Sequence, residues 1–141
     1  MPSDVDYIDA ARRHLADAHL LRDSGRLPNA GQLFGFAVEC GLKAALIDTH
    51  EASVDANGII VRPFKKHPPE LINLALPLNI SPNPRAAAVV AMLPRLRTML
   101  DWNVDHRYWA SHAAPTASLD AWEETAIEID LMLDLLISGA I

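Results

Sequence analysis

The stretch His106-Arg107-Tyr108-Trp109-Ala110-Ser111-His112 places an arginine and a histidine with four residues between them. A guanidinium stays charged at physiological pH and can grip a phosphate with its planar fork, while an imidazole exchanges a proton near neutrality. Arg107 and His112 together can therefore break a phosphodiester without a metal ion. His106 is an alternative acid or base beside them. Trp102, Tyr108 and Trp109 add aromatic faces that either stack on bases or fill a core or dimer interface. Earlier in the chain Glu39 and Lys43 stand four apart, the spacing of a surface helix ion pair worth about 0.3–0.5 kcal/mol. His67 precedes Pro68 and is expected to cap a helix, with contact to a nucleotide as the alternative.

Other chemistries find less support. His14 and His19 are five apart, whereas two imidazoles on one helix face need a spacing of four, so no metal site is expected. No catalytic triad, glycine-rich phosphate loop or internal repeat is present, and no cofactor is implied. With 18 acidic against 12 basic residues the formal charge is -6, the wrong sign for binding nucleic acid by overall charge. An RNA site must then be a local basic patch. Cys40 is the single cysteine, which rules out an intrachain disulfide and suits a reducing, cytoplasmic location. The amino terminus lacks a basic region followed by an apolar core, and no membrane span is expected.

The 141 residues suit one domain, 1–141, and half of them are apolar. Helical periodicity dominates. Ser3 or Asp4 can cap a first helix through Tyr7, Ile8, Ala11, Leu15, Ala18 and Leu21, with Gly25 as its stop. Asn29 can cap a second helix, with Gln32 at its third position, running to about His50. Gly31, Gly35 and Gly41 inside it each cost about 1 kcal/mol relative to alanine, so a neighbouring helix is expected to come close there. Asn57-Gly58 between Val54 and Ile59-Ile60-Val61 predicts an extended or hairpin excursion around 54–62. Pro68-Pro69-Glu70 can open a third helix through Leu76, and Pro77, Pro82 and Pro84 fix a loop. Arg85 to Asp101 reads as helix broken by Pro94, and Ser118 or Asp120 starts a last helix through Leu136. The fold class is all-α, a four- to five-helix up-and-down bundle.

Ala11, His14-Leu15, Ala18 and Leu21, then Asn29-Ala30-Gly31, then Ala37 to Ala44 resemble the opening helix pair of HEPN domains (higher eukaryote and prokaryote nucleotide-binding). Lys66-His67 with Leu71 and Leu74 is similar to that family's histidine-led third helix, and the Arg107 to His112 spacing to its arginine-histidine motif. The resemblance implies a helical bundle that dimerises and brings two copies of the motif to one cleft, in many members as a metal-independent ribonuclease of toxin or defence type. By that likeness Arg107 holds the scissile phosphate, His112 relays protons, and the products are a 2′,3′-cyclic phosphate and a free 5′-hydroxyl. Glu39 of the second helix can face the cleft and orient Arg107. The alternative is a non-catalytic module that binds a nucleotide or docks a partner such as a nucleotidyltransferase or an antitoxin. Tyr108 departs from the small polar residue usual after the arginine and favours that alternative.

On a regular helix Arg107 and His112 would diverge by roughly 140°, at about 100° per residue. Their convergence needs the helix to end after Trp109, or a partner subunit to supply one of them. Otherwise Arg107 is expected to pair with Asp101, Asp105 or a carboxylate of the last helix.

Overall fold

A computed structural model describes residues 4–141. Five α-helices are joined by turns and short 3-10 segments: α1 (Tyr7–Asp23), α2 (Leu27–Thr49), α3 (Glu70–Ala75), α4 (Pro84–Ala91) and α5 (Leu119–Ile137). The all-α expectation holds, and among the described residues the only β pairing is one antiparallel bridge, Val54 with Ile60. That bridge lies in the predicted 54–62 excursion, whose turn is closed by Asp55 accepting from the backbone N–H groups of Asn57 and Ile59.

Helix ends follow from local chemistry, with two corrections. Asp6 caps α1 by accepting from the Asp9 N–H at 3.0 Å, in place of Asp4; Ser3 lies outside the described residues. The helix ends as predicted at Gly25, whose φ of +76° lets the Arg26 N–H turn back to the Leu21 carbonyl. The chain leaves that turn directly into α2. Arg26 occupies the cap position, Pro28 the first turn, and no side chain caps the end. Proline's fixed φ favours the first turn, so α2 begins two residues before the expected Asn29 cap. Further on, Asn83 caps α4 by accepting from the Arg85 N–H at 3.0 Å. Helix α4 stops ahead of Pro94, and 3-10 segments cover Leu96–Asp101 and Val104–Tyr108.

Helix α2 is the core of the bundle. It is buried on nearly every side, with Phe34, Val38, Leu42, Ala45 and Leu46 at 1% exposure or less. By length and composition it could cross a membrane, contrary to the expectation that no segment would, but 78% of its apolar window is buried inside the fold. Helices α1 and α5 both pack against it. Its glycines explain how closely its neighbours approach. A Cβ on Gly35 would fall 1.9 Å from the Trp102 indole, one on Gly41 2.1 Å from Ile129 of α5, and one on Gly31 3.0 Å from Trp122 of α5.

Gly35→Ala is expected to destabilise the fold by about 1–3 kcal/mol, the indole clash outweighing a helix-propensity gain of about 1 kcal/mol. Gly31→Ala, with its looser contact, should cost less. Urea unfolding of the two variants measures the difference.

Candidate functional site

The segment carrying Arg107 is pinned to α2. Trp102 is buried, and its Nε1–H donates to the Gly31 carbonyl at 3.0 Å. One residue on, Gln32 donates to the Asn103 carbonyl at 2.9 Å, and Asn103 Oδ1 accepts from the Asp105 N–H at 2.8 Å to start the 3-10 segment. His106 packs against Trp109, ring centroids 4.6 Å apart, and Trp122, 6.2 Å apart. Its Nδ1 is buried without a hydrogen-bond partner. Burial lowers the His106 pKa, against the opposing pull of Asp101 and Asp105, so this ring is a neutral wedge, poorly placed to serve as an acid or base.

Arg107 itself is exposed. Its guanidinium carbon lies 4.7 Å from the Tyr108 ring centroid, and no carboxylate of the described residues pairs with it. The expected partner Asp101 is occupied otherwise: its oxygens accept from Trp122 Nε1–H at 2.8 Å and from the Ser118 hydroxyl. Tyr108 is 73% exposed and Trp109 52%. The 3-10 segment ends at Tyr108, Trp109 is extended at φ -76° and ψ 149°, and His112 follows in an exposed turn. The helix thus ends before His112, so the divergence of a regular helix does not separate the pair. Arg107 and His112 share one exposed strip, with no hydrogen bond between them and none that orients His112.

A second cluster is built more tightly. Glu39 and Lys43 are each only 7% exposed, which corrects the expectation of a surface pair. Tyr7 of α1 and His67 of the loop before α3 lie against the face of α2 that bears them. Lys43 Nζ meets Glu39 Oε2 at 3.0 Å and stands 5.8 Å from the Tyr7 ring centroid. The other carboxylate oxygen, Oε1, is 2.5 Å from His67 Nδ1, and the His67 side chain is 51% exposed. His67 therefore caps nothing with its ring, and Glu39 is engaged by Lys43 and His67 in place of Arg107. Burial, with Cys40 and Glu39 behind it, raises the Tyr7 pKa, and burial with Glu39 pushes Cys40 up to about 11. Burial and then Arg13 lower His14, opposed by Asp17 and Glu39.

Phe36 connects the two clusters. Its ring centroid is 6.3 Å from His67, 5.7 Å from His14 and 5.5 Å from Trp102. Sequence reasoning passed over Phe36, and counted neither Tyr7 nor His14 among the candidate site residues. Phe36 is three residues before Glu39, and Tyr7 and His14 are seven apart on α1, both spacings that share a helix face.

A cavity of about 710 Å³ lies between the start of α1, the end of α2, the Gly58–Ile60 turn and the end of α5, with Tyr7 in its lining. Neither Arg107, His112 nor His67 lines it. Among the described residues no three His, Cys, Asp or Glu side chains gather as a metal-binding set. No protein-family model, curated protein or solved structure matches the chain.

Removing one member of the buried pair, as in Glu39→Leu or Lys43→Met, is expected to cost about 3–5 kcal/mol, whereas the Glu39→Leu/Lys43→Met double variant should recover most of it. A double-mutant cycle by urea unfolding tests this. Stability should also fall in acid. His14 and His106 have pKa values below 6.5 when folded, so as pH drops through 6.5 the unfolded chain takes up protons first. Their contribution is intact above that pH and declines until the folded values are passed. His106→Gln should flatten the fall in urea midpoint between pH 7.5 and 5, because one of the two groups no longer titrates.

Proposed function

We propose that this chain is a HEPN-like endoribonuclease that cuts RNA without a metal ion, working in the cytoplasm as a homodimer. The observation that carries the reading is Arg107: an exposed guanidinium with no carboxylate partner among the described residues, on the same strip as His112 and held in place by the buried Trp102. An unpaired arginine keeps its full fork for a phosphate. In this reading Arg107 binds the scissile phosphate and stabilises the charge that builds on it, while His112 moves protons. Dimerisation is supported by α5, where Ile127, Leu131 and Leu135 are exposed at four-residue steps along one face.

One arrangement favours a second reading, a non-catalytic module that binds a nucleotide or docks a nucleotidyltransferase or antitoxin partner. No group orients the His112 ring, while the exposed rings of Tyr108 and Trp109 beside Arg107 form what a stacking site requires.

Purified protein in excess chelator is expected to cleave single-stranded RNA to 2′,3′-cyclic phosphate and 5′-hydroxyl ends. Arg107→Ala should lower the rate by about 100-fold or more, the loss typical of one charge-stabilising donor. Saturable binding of RNA or nucleotide with no turnover would establish the module instead.

A further inference from the structure

We propose that His67, held by Glu39, is the base that removes the 2′-hydroxyl proton of the RNA, leaving His112 to protonate the departing oxygen. This rests on the ribonuclease reading and assigns its proton transfers to two different histidines.

The argument begins with ring geometry. A carboxylate only accepts hydrogen bonds, so the 2.5 Å contact with Glu39 Oε1 places a proton on His67 Nδ1. In the neutral ring the lone pair then sits on Nε2. His67 is half exposed, so the ring has one edge fixed inside the fold and another available to a ligand, the arrangement by which a buried carboxylate prepares a histidine to accept a proton. Lys43 engages the other oxygen of Glu39 at 3.0 Å. With both oxygens occupied, the carboxylate is held against rotation.

The other histidines lack this combination. His106 is wedged between two indoles with its Nδ1 buried and unpartnered. His14 rests on Phe36 and His50 on Phe64, and neither forms an ion pair among the described residues. His19 stands 3.2 Å from Glu123, but that carboxylate is more exposed and is shared with Arg22. His112 has an exposed ring with no carboxylate of the described residues beside it, so it lacks the fixed tautomer that Glu39 gives His67.

A chain of contacts along α2 runs from His67 toward the segment that carries Arg107. Gln32, Phe36 and Glu39 follow one face of α2; Gln32 holds Asn103, Phe36 touches both Trp102 and His67, and Glu39 holds His67. Seven residues separate Gln32 from Glu39, about 10 Å along the helix axis. The face around His67 also carries Lys43 from α2 and Tyr7 and His14 from α1, with Lys66 and Glu70 paired beside it.

The step balances. The 2′-O–H bond breaks and its proton passes to His67 Nε2, while the oxygen's electron pair forms a bond to phosphorus. The bond from phosphorus to the 5′-oxygen breaks, and that oxygen takes a proton from the His112 imidazolium. Glu39 stabilises the His67 imidazolium until its proton returns to solvent. Glu39 is thus a positioning residue, and His67 a catalytic one.

The test uses the full chain, single-stranded RNA and chelator, with nitrogen-15 spectra of the imidazoles. His67→Ala is expected to lower cleavage by about 100-fold or more, with the loss restored in part by added imidazole. The His67 ring should show a protonated Nδ1 and a bare Nε2, a tautomer preference that Glu39→Leu, which removes the acceptor, abolishes. An unchanged rate in His67→Ala, a loss that imidazole does not restore, or a ring protonated at Nε2 alone would overturn the assignment. Wild-type protein that leaves RNA intact removes the ribonuclease reading and the assignment with it; cleavage that ignores His67 removes the assignment alone.

Discussion

The Trp102 indole fills the notch that Gly35 leaves on α2, and the position of the whole segment beyond it depends on that fit. The ring is buried, and its one polar atom is satisfied by the Gly31 carbonyl, so the indole sits inside without the cost of an unpaired donor. Trp122 repeats the arrangement one helix turn earlier on α2: it packs over Gly31, and its Nε1–H is satisfied by Asp101. The two indoles tie the Asp101–Asn103 link to α2 and α5 at once. Replacing such a ring by alanine typically costs about 3–5 kcal/mol, enough to hold a short 3-10 segment that has little intrinsic stability. Arg107 is exposed and yet anchored because its support lies five residues away, inside the core.

That arrangement also settles how the arginines are used. Arg12 pairs with Asp130 and Asp134, Arg22 with Asp120 and Glu123, and Arg95 with Glu124 and Glu128, all acids of α5. Each such surface pair adds little stability, and the three arginines together offset about half of the charge of the six α5 carboxylates they meet. Asp101, the carboxylate close to Arg107 in sequence, is consumed by Trp122 and Ser118. A chain with a formal charge of -6 therefore still presents an uncompensated guanidinium, and the attraction it offers an anion is local.

Much of this was legible in the residues. The period of Ile8, Ala11, Leu15 and Ala18 marked α1, Pro94 marked the break after α4, and Gly31, Gly35 and Gly41 marked a close approach, because each of these signals is local. The identity of the intruder was not local: two of the three notches receive tryptophans from distant sequence, one of them from the link between two 3-10 segments. Glu39 and Lys43 were misread for the same reason. Spacing of four says that two side chains are neighbours on a helix, but it does not say what covers them. The better signal was their company, since Ala37, Val38, Gly41, Leu42, Ala44 and Ala45 surround them and leave α2 no polar face to turn outward. His67 was opaque because its contact with Glu39 spans 28 positions in sequence and runs through a loop with no periodicity to read.

The cost of burying Glu39 and Lys43 argues for a role beyond stability. Taking a carboxylate and an ammonium out of water costs several kcal/mol per ion, and apolar residues of similar size often serve a core as well or better. On the exposed acids of α5 the pairing arginines come at little desolvation cost; inside α2 they would have been replaceable by the leucines and alanines that occupy the rest of the helix. What an apolar substitute cannot do is accept a hydrogen bond from His67. The buried pair is neutral as a unit, so it fits the core, and it leaves one carboxylate oxygen directed at the single half-exposed ring of the group. Lys43 holds Glu39 and Glu39 holds His67, which makes the ion pair an internal mount whose working part is the imidazole at the surface.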